Sequence, residues 1–185
     1  GRKAAEESID KVKELLDANT KMLFITAGMG GGTGTGAAPI IAEVAKEKDI
    51  LTVGVVTIPF STEGGNRHEY AMEGLKDLRK HVDTLLVINN DKLIEIYGDL
   101  TFTQAFAKAN EVLNTATKGI AEVISQHLLV NIDLNDARRV LENSGTAVMG
   151  QATASGENRA IEAVKGALDS PLLNDNNIKG AKQVL

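Results

Sequence analysis

Apolar positions Ala4, Ala5, Ile9, Val12, Leu15 and Leu16 recur at three- and four-residue steps, which predicts a helix over most of Lys3 to Ala18. Met22-Leu23-Phe24-Ile25 is a short continuous apolar run, the pattern of a strand buried on both faces. A glycine-rich loop follows, and Ala37 to Lys46 reads as a helix with Pro39 in its first turn. Leu51 to Ile58 is a β-branched run closed by Pro59, His68 to Lys80 is helical again, and Thr84 to Ile88 is a third buried strand. Strands apolar on both faces, alternating with helices, predict an α/β fold with a parallel sheet and right-handed crossovers.

The second half has a different rhythm. From Phe102, the positions Ala105, Phe106, Ala109, Val112, Leu113, Ala116, Ile120, Val123 and Ile124 keep one apolar face over some seven turns. Such a helix is about 35 Å long, enough to span a domain as a connector or core spine. A polar turn, a short helix at Ala137 to Leu141, a strand-like Thr146 to Met149 and a helix at Arg159 to Leu168 follow. Gly150, Gly156 and the stretch from Pro171 to Asn177 punctuate this half. The expected division is a partial domain at 1–100, the connecting helix at 101–127, and the start of a second domain at 128–185.

Composition narrows the function. The sequence holds 20 Lys+Arg against 25 Asp+Glu, a net charge of −5, with a pI near 5.3. No broad basic face is available for nucleic-acid phosphates, so no nucleic-acid partner is expected. The 185 residues contain no cysteine, which removes disulfides, thiolate zinc sites and thiol nucleophiles and suggests a reducing, cytosolic setting. No apolar run approaches the roughly 20 residues of a membrane helix, so direct membrane insertion is not expected. Gly1 to Ser8 is charged and polar rather than a signal peptide, and a start without Met inside a helix suggests a chain cut from something longer. His68, His81 and His127 are scattered without ligand spacing, so no metal-ligand set is predicted.

The candidate chemistry lies in Gly28-Met29-Gly30-Gly31-Gly32-Thr33-Gly34-Thr35-Gly36, between a buried strand and a helix. Successive glycines let backbone N–H groups converge on an anion, the helix dipole adds favourable potential, and Thr33 and Thr35 add hydroxyls. Common phosphate motifs fit poorly. Gly31 to Gly36 has P-loop spacing, but Ala37 and Ala38 stand where lysine and a hydroxyl residue belong. A dinucleotide pattern can be forced onto Gly32, Gly34 and Ala37, yet Thr57-Ile58-Pro59 offers no ribose-binding carboxylate. Asp133 and Asp136, ahead of Ala137-Arg138-Arg139, read either as a helix cap with a second acid in the first turn or, with Asn131, as groups that polarise an attacking water.

The run Gly30 to Gly36, followed by Ala37-Ala38-Pro39, resembles the signature of the tubulin/FtsZ family. The resemblance continues through Thr57-Ile58-Pro59-Phe60, Glu63-Gly64, Asn90-Asp91-Lys92-Leu93 and Asn131-Ile132-Asp133-Leu134-Asn135-Asp136. Order and spacing match the family's bacterial cell-division branch along essentially the whole chain. The resemblance implies part of a parallel-sheet, Rossmann-like GTPase domain, joined by a long central helix to the start of a second α+β domain. It implies GTP/GDP as ligand with Mg²⁺, and contact with the phosphates by Gly32, Thr33 and Gly34, with Gly31 and Thr35 beside them. Glu63 would meet the ribose and Arg67 the nucleotide. Asn110 would read guanine, as an amide can, with Phe106 beside the base. Asn131, Asp133 and Asp136 would enter the nucleotide site of the next subunit in a head-to-tail homopolymer.

The family pattern is broken at Thr62, where an aromatic is usual, and at Gly65-Asn66, where a basic pair is common. The resemblance also implies further strands on either side of this chain, and a tail through which tethering and regulatory proteins of the division ring bind at the cytoplasmic face of the septum. The chain alone is therefore expected to hydrolyse GTP poorly or not at all and to be capable of dimerising. Two other classes stay open on residues alone: a dinucleotide-binding oxidoreductase fragment, and a non-catalytic module that caps filaments.

Overall fold

The computed structural model describes residues 1–125, 132–169 and 181–185. Four strands, β1 (Met22–Gly28), β2 (Leu51–Ile58), β3 (Thr84–Asn89) and β4 (Gly145–Thr146), form one parallel sheet in the order β1-β2-β3-β4. The α/β fold with a parallel sheet is as expected. β2 is the spine: its residues from Leu51 to Val56 are all buried, and it pairs with β1 on one side and β3 on the other.

The pleat of β2 divides the core in two. Leu51, Val53 and Val55 face a cluster with Leu86, Ile88 and Leu93, and there they meet Ala109, Val112 and Ala116 of α6 (Phe102–Ser125). Val56 on the opposite face packs with Ala38 and Ala42 of α3 (Gly32–Glu47) and with Ala71, Leu75 and Leu78 of α4 (Gly65–Arg79). Alternate side chains of one strand thus reach different helix layers, as the period of two requires. The buried positions of α6 are Ala105, Ala109, Val112 and Ala116, mostly small, so this 24-residue helix lies close against the sheet.

Element boundaries differ from the sequence pattern in informative ways. The first helix divides into α1 (Arg2–Glu7) and α2 (Ile9–Leu15), because Ser8 shares its N–H between the carbonyls of Ala4 and Ala5, each at 3.2 Å. It stops before Ala18: the Asp17 carboxylate accepts the N–H groups of Asn19 and Thr20 at 2.9 and 3.1 Å, an Asx turn that competes with the helix. α3 starts at Gly32, not Ala37, which corrects the expectation that the glycine cluster is a loop and places Pro39 inside the helix rather than in its first turn. α5 (Asn90–Tyr97), unforeseen from the pattern, is capped by Asn89, whose side-chain oxygen accepts the Asp91 N–H at 3.0 Å.

α7 (Leu134–Leu141) also begins earlier than expected, because Asp133 caps it. The strand expected at Thr146 to Met149 is reduced to β4. Gly145 bonds the carbonyl of Asp83 and Ala147 that of Leu85, after which Met149 turns away to pack against α6 at Gly119. α8 (Arg159–Leu168) has the expected bounds. Among the described residues no helix is long and apolar enough to cross a membrane.

Thr84, 1% exposed at the start of β3, fastens α7 to the sheet by donating to the Leu141 carbonyl and bonding the Ser144 hydroxyl at 2.7 Å. Thr84→Val leaves the carbonyl of buried Leu141 without its donor and is expected to lower stability by about 1–3 kcal/mol in urea unfolding. Ser144→Ala is expected to cost less, since the carbonyl contact survives.

Candidate functional site

At the carboxyl end of β1 the chain turns sharply into α3. Met29 keeps its N–H on the Thr57 carbonyl of β2 at 2.9 Å, and Gly30 then takes φ +94°. A side chain at Gly30 is excluded by conformation and by space, since a Cβ would lie 2.7 Å from the Arg67 carbonyl oxygen and 3.2 Å from the Pro59 ring. The Gly30 N–H is held at 2.8 Å by Thr35 Oγ1, one turn into the helix. The outcome is a tight reversal that places the start of α3 directly over the end of the sheet.

Gly31 is the N-cap of α3, extended at φ −94° and ψ 177°, and no side chain caps the helix. Its first N–H groups therefore lack intrahelical partners, and the positive end of a 16-residue helix points outward. Open space surrounds the positions where Gly31 and Gly32 would carry a Cβ, and Thr33 is exposed beside them. Backbone donors left open in this way, at the carboxyl end of a parallel sheet, have the chemistry to accept an anion such as a phosphate. Gly34 faces the other way, packed so tightly on β1 that a Cβ would lie 2.6 Å from the Gly28 carbonyl oxygen. Thr35 also points inward, its oxygen committed to Gly30.

Glu63 and Arg67 lie beside this turn. Glu63 ends a short 3₁₀ turn (Ser61–Glu63) after β2, and its carboxylate accepts the Phe60 N–H at 2.9 Å and Arg67 Nη1 at 2.8 Å. The Glu63 side chain is 9% exposed and Arg67 59%, so the carboxylate shapes the turn from within while the guanidinium lies at the surface. Asp91, quoted in the sequence motif without a role, fixes the same turn: its Oδ1 accepts the Ser61 N–H at 2.9 Å and the Ser61 hydroxyl at 3.2 Å. Its signal was position, at the start of the helix that follows β3.

Phe106 belongs to an aromatic cluster with Phe60 and Phe102. The ring centroids of Phe60 and Phe106 are 5.1 Å apart and edge-on, and those of Phe102 and Phe106 are 5.0 Å apart. Phe60 is buried whereas Phe102 is 61% exposed, and neither was singled out as a site residue from sequence. Asn110 is exposed one turn beyond Phe106 on α6. The contacts form a chain: the glycine turn touches Arg67, Arg67 pairs with Glu63, Glu63 holds Phe60, and Phe60 packs on Phe106. Gly31, Gly32, Thr33, Gly34, Thr35, Glu63, Arg67 and Phe106 thus belong to one end of the sheet, and Asn110 follows Phe106 by one turn of α6.

The acidic residues lie elsewhere. Asp133 and Asp136 form a reciprocal cap on α7: Asp133 Oδ1 accepts the Asp136 N–H at 2.9 Å and Asp136 Oδ2 accepts the Asp133 N–H at 3.2 Å. α7 is bound where the strands begin, through Arg138 on the Asp49 carbonyl at 3.1 Å and Leu141 on Thr84. The length of an eight-residue strand, about 26 Å, separates that end from the glycine turn. Asn131 lies outside the described residues. Among the described residues no three His, Asp or Glu side chains gather into a group that could hold a metal ion.

A parallel sheet flanked by helices, with a glycine turn leading from β1 into an uncapped helix, defines a protein of the parallel α/β class. Residues 1–98 match the Tubulin/FtsZ family, GTPase domain, and residues 145–185 match the FtsZ family, C-terminal domain. The chain belongs to the tubulin/FtsZ family. Over its whole length it is 53% identical to the cell division protein FtsZ of Coxiella burnetii and 51% identical to that of Pseudomonas putida. It covers 48% and 46% of those two proteins, so it spans about half the length of the curated relatives it matches. A solved FtsZ dimer from M. jannaschii superposes with a TM-score of 0.88 at 48% identity, over 93% of this chain and 50% of that one.

The geometry separates Gly30, which shapes the turn, from Gly31 and Gly32, which face open space. Gly30→Ala is expected to destabilise the chain by about 1–3 kcal/mol through strain at positive φ. Gly31→Ala is expected to change stability by less than about 0.5 kcal/mol. Urea unfolding of both variants checks the division.

Proposed function

We propose that this chain forms part of a GTP-binding, GTP-hydrolysing subunit that assembles head to tail, each subunit's acidic loop completing the nucleotide site of its neighbour. The observation that carries this reading is the placement of Asp133 and Asp136 at the opposite end of the sheet from Gly31 to Gly34. A single copy keeps its acidic pair a strand length from its own phosphate cradle. Two copies stacked along the strand direction bring the pair of one onto the cradle of the other. The M. jannaschii relative, solved as a dimer, is consistent with self-association.

In this reading the N–H groups at the start of α3 bind the phosphates, and Thr33 adds a hydroxyl. Glu63 and Arg67 meet the ribose and its surroundings, Phe106 flanks the base, and Asn110 donates to and accepts from the guanine edge. The incoming Asp133 and Asp136, with Asn131, orient and polarise the attacking water. Capping and catalysis are compatible, because the reciprocal bonds fix both carboxylates in place while leaving oxygen lone pairs outward. Mg²⁺ supplies charge neutralisation on the phosphates when bound. With no protein cage for it among the described residues, it would rest mainly on phosphate oxygens and water.

The setting that follows is the bacterial division ring, at the cytoplasmic face of the septum, with tethering and regulatory proteins recruited through other parts of the protein. The chain by itself is a weak catalyst that associates with itself or caps filaments, since turnover requires a correctly stacked second copy.

Calorimetric titration of the chain with GTP and with ATP, both with Mg²⁺, tests the site. GTP is expected to bind at least about tenfold more tightly than ATP, a difference of about 1.4 kcal/mol, and Asn110→Ala is expected to remove most of that preference. Equal affinity for the two nucleotides contradicts Asn110 as the guanine reader. Asp136→Ala is expected to leave GTP affinity within about twofold while abolishing hydrolysis in assembled protein, because the residue acts on a neighbour's nucleotide.

A further inference from the structure

We infer that Gly74, on α4 and distant in sequence from the glycine turn, is a positioning residue for the phosphate cradle: its missing side chain lets Thr35 hold the Gly30 N–H. The inference rests on the reading of the turn as a phosphate site. It identifies a residue of that site which touches no ligand.

α3 and α4 pack side by side on one face of the sheet, and Gly74 is buried at their contact. A Cβ on Gly74 would lie 2.4 Å from Thr35 Cγ2, 2.8 Å from Met29 Cε and 3.2 Å from the Thr35 carbonyl oxygen. The methionine terminus can swing aside. Thr35 cannot, because its Cγ2 and Oγ1 share one Cβ, and Oγ1 accepts the Gly30 N–H at 2.8 Å. Turning χ1 to relieve the methyl takes the oxygen off Gly30, and a β-branched side chain on a helix has few rotamers to choose from.

Backbone retreat is blocked as well. α3 is also pressed against the start of α1, where a Cβ on Gly36 would lie 2.6 Å from the Arg2 nitrogen. Gly34 is packed equally closely on the end of β1. Arg2 is itself fastened to α4 through Asp77. Lys80 also bonds that carboxylate at 2.9 Å and is the main cause of its holding below the usual carboxylate range. Pro39, four residues on, has no N–H for the Thr35 carbonyl, so this part of α3 lacks one of the ladder bonds that would otherwise fix it. Thr35 is thus set by its neighbours, and Gly74 is the neighbour that leaves it room. Glycine inside a helix is less favourable than alanine, so its presence at position 74 calls for a packing reason of this kind.

The test is amide hydrogen exchange on the intact chain without nucleotide, comparing the Gly30 N–H with that of Val55 in the core strand, so that changes in global stability cancel. Gly74→Ala is expected to speed exchange at Gly30 at least about tenfold relative to Val55. Adding Thr35→Ser removes the clashing methyl, keeps the oxygen, and is expected to return the ratio to within about threefold of wild type. Thr35→Val, which keeps the shape and removes the acceptor, is expected to speed Gly30 alone, and it tests the same bond should Gly74→Ala fail to fold. Parallel changes at Gly30 and Val55 in Gly74→Ala, no recovery with Thr35→Ser, or an unchanged Gly30 in Thr35→Val overturns the inference. Failure of wild type to bind GTP overturns the phosphate reading instead, and the two results are read separately.

Discussion

One backbone reversal, at Gly30, fixes where everything else in the site can be. Its positive φ and its wedged position between Pro59 and the Arg67 carbonyl leave α3 a single place to start, immediately above the end of β1. The consequence is electrostatic: uncapped N–H groups of a long helix end over the sheet with no side chain in front of them. The same reversal brings the start of α4 against the turn, so Arg67 and its partner Glu63 are placed by it too. From Glu63 the order continues through Phe60 to the start of α6.

The sheet gives this arrangement a direction. The glycine turn, Glu63, Arg67 and Phe106 gather where the strands end, while α7 is bolted on where they begin, through Thr84 and Asp49. α6 runs along one face between the two ends, held close by Ala105, Ala109 and Ala116. Under the proposed function, a nucleotide site at the glycine turn and an exposed pair of carboxylates at the other end of the sheet make the molecule complementary to its own copy under translation. Translation does not close on itself, so in the proposed reading repeated contacts of this kind would build a filament rather than a symmetric dimer.

Much of this was legible in the residues. β2 and α8 were placed to the residue, the one because Leu51 to Ile58 is an unbroken apolar and β-branched run, the other because Arg159 to Leu168 holds its period cleanly. The glycine cluster, read as an anion site, was also read as a loop, although the helix begins at Gly32, since glycine is among the poorest helix formers. Gly34 and Gly36 are nevertheless helical, because β1 and Arg2 approach so closely that no side chain fits. Tertiary contact overrode propensity there, and no local pattern announces such a contact. α5 was missed because its start is signalled only by Asn89, at the end of an apolar strand. The roles of Asn110 and Asp136 were carried by resemblance alone. An exposed amide and a helix cap look the same whether or not a nucleotide passes by.

The central claim is that one subunit's carboxylates act on another subunit's nucleotide, and mixing two inactive variants tests it most directly. One variant, Gly32→Arg, blocks the phosphate cradle and keeps the acidic loop; the other, Asp136→Ala, keeps the cradle and loses the loop. Both are made in the protein that carries this chain, and GTP hydrolysis is followed alone and in mixture. The account predicts little turnover from either variant and clear turnover from the mixture, where an intact cradle meets an intact loop. A mixture as inactive as its components, under conditions where both co-assemble, contradicts it.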